Sequence, residues 1–253
     1  MKIDDILGVL RGLAPEETAL EGDPVGLLIA GESDDVTKVG VCLDATPEIA
    51  ARAALGGVGL VVAHHPLIYH PLKRLGNDPV SHSVATLVKA GIGLYAMHTN
   101  WDRAAGGIND TLAQVLELQG VRPLGAEGGP ALPRIGDLAC PRPLADFAKF
   151  VEAALSCGGA NALRVGMGDP DRMVLRVAVC GGAGAFLAEA AQAAGADAFV
   201  TSDVRHHEFW EASSRGLALL DAGHGATETP GMRVLARRLP PLLTGVEVVW
   251  LGE

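Results

Sequence analysis

The sequence predicts an α/β protein built from two similar units, and three observations carry that prediction. Short apolar runs of strand length alternate with helically spaced segments along the 253 residues. The order of these segments repeats in the second half at nearly the same spacing. Histidines and carboxylates follow the strand-like runs, at the carboxyl ends where open α/β sheets collect ligands.

Residues 3–13 place Ile3, Ile6, Leu7, Leu10 and Leu13 along one helical face. Residues 27–31 and 39–43 read as strands. Thr46-Pro47-Glu48 starts a helix, with threonine as the cap and proline in the first turn. Strand 59–63 ends in His64-His65-Pro66, and a helix near 81–90 leads to strand 92–96. That strand ends in His98-Thr99-Asn100-Trp101-Asp102, followed by helix 108–118 and an extended piece near 121–124.

The second half follows the same order. Helix 143–155, strands 163–165 and 175–180, helix 185–194 and strand 198–203 come first. Helix 207–214, strand 217–221, a helix opened by Thr229-Pro230 and strand 246–250 complete it. Cys42 to His64 is 22 residues and Cys180 to Asp203 is 23; His98 to Asp102 and His224 to Glu228 are each four. The expected units are therefore 1–126 and 127–253, joined in the Gly/Pro-rich stretch 125–133.

Composition narrows the function. Mean hydropathy is +0.27, yet the apolar runs fall far short of the ~20 residues that span a bilayer. The start, Met1-Lys2-Ile3-Asp4-Asp5, lacks the basic and apolar stretches of a signal peptide, so a cytoplasmic protein with no membrane partner is expected. A net charge of −10 argues against a dominant nucleic-acid surface. The four cysteines form no C-x-x-C pair, and Cys42 and Cys180 read as small buried hydrophobes.

The chemistry gathers at three strand ends: His64 and His65, His98 and Asp102, His224 and Glu228. Imidazole and carboxylate together suit zinc, iron, manganese and similar divalent ions. Five ligands exceed one tetrahedral site and suit two ions, which would polarise a substrate oxygen and supply hydroxide at neutral pH. A lone histidine is usually only a polar loop residue. Four of the eight histidines lie at these ends, which favours metal, whereas His70 and His82 read as surface residues.

Three segments carry a resemblance: Gly59-Leu60-Val61-Val62-Ala63-His64-His65-Pro66-Leu67; His98-Thr99-Asn100-Trp101-Asp102 with Gly106-Gly107-Ile108-Asn109-Asp110; and Asp221-Ala222-Gly223-His224 with Glu228. With Gly26-Leu27-Leu28, Cys180-Gly181-Gly182 and Ala196-Asp197-Ala198-Phe199-Val200-Thr201, they resemble the family of the NGG-one-interacting factor three. Its members are also labelled dinuclear metal centre hexameric proteins or GTP cyclohydrolase 1 type 2 homologues. The resemblance implies two intertwined structural repeats, each a mixed β-sheet with flanking helices, two divalent metal ions between them, and a ring-shaped homo-hexamer. His64, His65, Asp102, His224 and Glu228 fall on the family's metal-ligand positions. His98, the repeat counterpart of His224, would orient a ligand or water, with His207 and Asp203 as similar candidates and Asp44 a weaker one. The chain departs from the family pattern at Asp23-Pro24, at Thr201-Ser202-Asp203 and at His206 before His207. None of these is a proposed ligand, and substrate contacts around 201–207 are not carried over.

Two functions remain open at this level. One is a metal-dependent hydrolase of a small phosphorylated or nucleotide-like substrate, with His98 or His207 carrying protons. The other is a non-enzymatic metal-storing or regulatory ring that binds protein or nucleic-acid partners. Gly181-Gly182-Ala183-Gly184 reads as a tight strand-to-helix turn rather than a dinucleotide fingerprint. Trp101 and Trp210 suit packing at least as well as stacking on a base.

Overall fold

A computed structural model describes residues 1–125, 132–156, 162–166 and 168–252. Most of the expected joining stretch, and Cys157, therefore lie outside the described residues. In chain order the main elements are α1 (Ile3–Leu13), β1 (Gly26–Ile29), β2 (Lys38–Cys42), α2 (Pro47–Leu55), β3 (Leu60–Ala63), α3 (Pro79–Lys89), β4 (Gly93–Ala96) and α4 (Thr99–Arg103). Next come α5 (Ile108–Val115), β5 (Gln119–Pro123), β6 (Arg134–Pro143), α6 (Leu144–Ala154), β7 (Arg164–Val165), β8 (Met173–Ala183), α7 (Ala188–Ala193) and β9 (Ala198–Ser202). The chain closes with α8 (His206–Ser214), β10 (Ala218–Asp221), α9 (His224–Arg238) and β11 (Glu247–Gly252).

The chain divides into two units, residues 1–105 with 232–253, and residues 106–231. The first holds a sheet in the order β1-β4-β3-β2-β11. Strands β4, β3, β2 and β11 run parallel to their neighbours, and β1 is antiparallel to β4. β3 and β4 are buried at every position, as expected of strands covered on both faces. Ile49, Ala53, Val61, Leu87 and Leu94 form the core between that sheet and its helices. Thr46 caps α2 by accepting the Ile49 amide at 3.3 Å, and Asp78 caps α3 by accepting the Ser81 amide at 3.0 Å.

The second unit holds β5-β6-β8-β9-β10-β7. β8, β9 and β10 are parallel, and β7 is antiparallel to β10. The order β7-β10-β9-β8 and its directions thus copy β1-β4-β3-β2. Phe147, Val151, Val177, Val200 and Leu220 anchor its core. The copies are intertwined, as expected: β11, from the end of the chain, extends the first sheet, and β5 extends the second. Both sheets are mixed and flanked by helices.

Two sequence expectations change. The last helix does not open at Thr229-Pro230; α9 begins at His224 and carries Pro230 in its interior. An interior proline loses one backbone bond, a cost of about 3 kcal/mol. Hydrogen bonds around Thr227, described below, oppose that cost. Strand β6 was not anticipated, because Gly136, Pro141 and Pro143 interrupt its pattern and its pairing with β8 shifts register between Asp137 and Arg142. Among the described residues no helix is long and apolar enough to cross a membrane.

Candidate metal centre

In the first unit the site begins where β3 ends. The His64 amide donates to the Cys42 and Leu43 carbonyls, and the His65 amide to the Leu43 carbonyl at 3.0 Å. These bonds continue the ladder past Ala63 and fix where both side chains point. His64 is wholly buried, and its Nδ1 lies 2.7 Å from the Met97 carbonyl. A carbonyl only accepts, so Nδ1 carries a proton and Nε2 is the ring atom left to face Asp102. His65 Nδ1 meets Asp44 Oδ1 at 2.8 Å, and His98 Nδ1 meets Asp23 Oδ1 at 2.7 Å.

Asp23 also receives the amide of Thr99 at 3.1 Å and its hydroxyl, which sets the start of α4. Burial pushes the Asp23 carboxyl up, but the hydrogen bonds from His98 and Thr99 outweigh it and hold the group below the usual carboxylate range. The single turn of α4 then returns Asp102 towards His98, whose carbonyl accepts the Asp102 amide at 3.0 Å. Asp102 is buried, with Oδ1 3.5 Å from His64 Nε2. The His64 and His98 rings are 5.2 Å apart, and His65 lies 5.0 Å from His64. One nitrogen from each of these three rings falls within 4.8 Å of the others.

The second unit builds its share differently. At the end of β10, Asp221 Oδ1 accepts the Gly223 amide at 3.0 Å, and Asp221 Oδ2 accepts the Val204 amide at 3.0 Å and takes an Arg164 guanidinium. His224 opens α9 with Nδ1 on Asp203 Oδ2 and Nε2 3.2 Å from Glu228 Oε2, one turn on. Asp203 holds a left-handed backbone at φ +55°, a strained state for a non-glycine residue and one found at functional sites.

Glu228 is buried against a bed of glycines. A Cβ on Gly182, whose φ is +64°, would sit 2.3 Å from Glu228 Oε1 and 3.2 Å from His224 Nε2. Gly181 donates its amide to Asn109 Oδ1 at 2.7 Å, and Gly182 donates to Thr227 Oγ1 at 3.0 Å. Thr227 in turn donates its hydroxyl to the His224 carbonyl at 2.7 Å. Thr201 Oγ1 bonds the Gly182 carbonyl and the Gly184 amide, each at 2.9 Å.

In the first unit His64, His65 and His98 form a group that could hold a metal ion, and in the second His224 and Glu228 supply two donors of the same kind. Each imidazole is held by Nδ1 on a carbonyl or carboxylate, the arrangement that orients metal-ligating histidines. In each half an Nε2 faces a carboxylate oxygen, at 3.5 Å in one and 3.2 Å in the other. Two lone-pair donors that close are favourable only around a shared proton or cation. The groups belong to the class that binds first-row divalent metals.

Of the residues named from sequence, His64, His65, His98 and Asp102 come together in the first unit, and His224 and Glu228 in the second. His207 is exposed on α8, in a cleft with Phe186, Glu189 and Arg215, and joins no metal-capable group among the described residues. His70 and His82 are exposed, as expected. Trp101 is fully buried with the Arg238 guanidinium over its ring, so it packs rather than offering a face to a base. The positioning roles of Asn109, Thr227, Gly181 and Gly182 carry no local sequence signal, although Asn109 and both glycines lie in segments that resemble the family. Gly181-Gly182 does not form the expected turn into a helix; both residues belong to β8.

Comparison with known proteins agrees with this architecture. The model of the Duf34/NIF3 (NGG1p interacting factor 3) family matches residues 1–251. A Lactococcus lactis protein named GTP cyclohydrolase 1 type 2 homolog is 35% identical over 251 residues, covering 98% of this chain and 95% of that one. A Streptomyces coelicolor protein of the same name is 36% identical over 245 residues, covering 94% and 85%. The crystal structure of a Bacillus cereus protein related to NIF3 has the same fold, with a TM-score of 0.88 at 24% identity over 99% of this chain and 96% of that one. The chain belongs to the Duf34/NIF3 family.

Proposed function

We propose that this chain is a dinuclear metal protein that hydrolyses a small phosphorylated or nucleotide-like substrate, with His64, His65, Asp102, His224 and Glu228 as ligands. The observation that carries the reading is the fixing of His64, His65 and His224 by Nδ1, which presents Nε2 of each ring for coordination. Divalent ions held there would supply Lewis-acid polarisation of a substrate oxygen and a water of lowered pKa. Asp44 and Asp203 orient His65 and His224, while Asp23 fixes His98 and α4 together.

His98 is the better placed proton carrier, beside His64 and His65 with its Nδ1 on a carboxylate. His207 is the other group proposed for that role. The name shared by the Lactococcus and Streptomyces relatives supports hydrolysis of a nucleotide-like molecule. The working form is taken to be a homo-hexameric ring, on the family resemblance. The cytoplasm is its proposed compartment, on the sequence expectation above.

The test is turnover by metal-loaded protein across a panel of phosphoesters and nucleotides. Hydrolysis lost in His65→Ala and Glu228→Ala is the expected result. Metal-replete protein without turnover on any of them would reject the hydrolase and leave a metal store or regulator.

A further inference from the structure

A pocket of about 270 Å³ lies beside His65 in the first unit. Its walls are largely carbon, from Ala45, Pro47, Pro66, Leu67, Pro79 and Val80, with Asp44 and His65 also lining it. That volume is near the lower end of small-molecule pockets, about 300 Å³, and suits one ring system rather than a whole nucleotide.

Charge decides what kind of group fits. Helices α2 and α3 both begin at this pocket, and a helix start ordinarily attracts anions. Here each start already carries a carboxylate. Asp78 accepts the amide and hydroxyl of Ser81, and Glu48 is held by its own amide and the Thr46 hydroxyl. Asp44 adds a further acid, and no Lys or Arg is among the described residues that line the space. Away from the His65 end, a phosphate placed there would meet capped helix starts and no Lys or Arg.

One polar atom in the apolar wall has no partner. Ser83 lines the pocket, is wholly buried, and its Oγ makes no hydrogen bond. Buried hydroxyls are normally satisfied, so this one points to a group that arrives from outside.

We propose that this pocket binds the uncharged ring of the substrate, a planar heterocycle or arene with a hydrogen-bond acceptor for the Ser83 hydroxyl, so that the reacting end meets the metal at His65. This rests on the metal reading above and adds a substrate class to it. Any phosphate of the same molecule is bound outside this pocket.

Isothermal titration of zinc-loaded protein with quinazolinone, an uncharged planar bicycle with a carbonyl acceptor, tests the idea. Wild-type protein binds it saturably, and millimolar inorganic phosphate does not displace it. Ser83→Ala weakens binding about 3–10-fold, the worth of one hydrogen bond. Val80→Phe, which fills the space, abolishes it, and both variants keep wild-type zinc content. Ser83→Ala decides the matter if the larger substitution unfolds the chain. No binding by wild-type protein, unchanged binding in a folded variant, or displacement by phosphate would each overturn the proposal. Quinazolinone binding with the expected losses, in protein that takes up no zinc, would uphold the pocket and reject the metal reading instead.

Discussion

The two units offer groups that could hold a metal from the same topological place, the ends of parallel strands, but support them by different means. In the first, His64 and His65 leave β3 directly, and their direction comes from a continued backbone ladder with Met97 and Asp44 behind the rings. In the second, His224 and Glu228 share one helical turn, and that turn rests on Gly181, Gly182 and the Thr227 and Thr201 hydroxyls. A strand end fixes ligands through the sheet. A helix turn needs a surface to lie on, and here that surface must lack side chains.

The sharpest way to break this contrast is Gly182→Ala. The added Cβ falls on Glu228, and alanine resists a φ of +64°. Urea unfolding should show a loss on the order of 3 kcal/mol, combining backbone strain with overpacking. Tolerance of alanine at wild-type stability would show that the bed is not a constraint. Thr227→Val is the milder version. It strands the Gly182 amide and should cost about 1–3 kcal/mol, the penalty for a buried donor left unpaired. The same chemical denaturation reads it.

The helices that cover the first sheet start at local side-chain caps, and smaller effects are expected there. Thr46→Ala removes the acceptor for the Ile49 amide and should cost about 1 kcal/mol in thermal or urea unfolding. The smallest effect concerns acid. Hydrogen bonds from the Ser81 backbone and hydroxyl hold the Asp78 carboxyl below its usual range. A carboxyl lowered by folding adds stability above its unfolded pKa, near 3.9, and that contribution disappears as pH falls through the folded value. Asn caps helices as well as Asp. Asp78→Asn should therefore match wild type at neutral pH and lose stability less steeply on acidification. An unchanged acid limb would show that the cap carries no charge-dependent stability.

The parts that could be read in the sequence follow the same division. Strand ends at 63, 96 and 221 were legible because apolar runs of four or five residues stop at histidine or aspartate. The short α4 was not, since five residues show no helical period and its cap, Asp23, lies 76 residues before Thr99. Thr229-Pro230 carries a genuine local start signal, yet α9 begins five to six residues upstream, where Thr227 bonds Gly182. Gly182 stands in a quoted segment, yet its need for positive φ and an empty Cβ position arises only from Glu228, 46 residues away. Local signals place the candidate ligands, and tertiary contacts decide what holds them.

The measurement that tests the central claim most directly is elemental analysis of purified protein beside His65→Ala and Glu228→Ala, one proposed ligand from each unit. The account predicts about two metal equivalents per chain, the stoichiometry of a two-metal site, with a loss in both variants. Absence of bound metal after incubation with zinc, manganese or iron, or full retention in either variant, would contradict it.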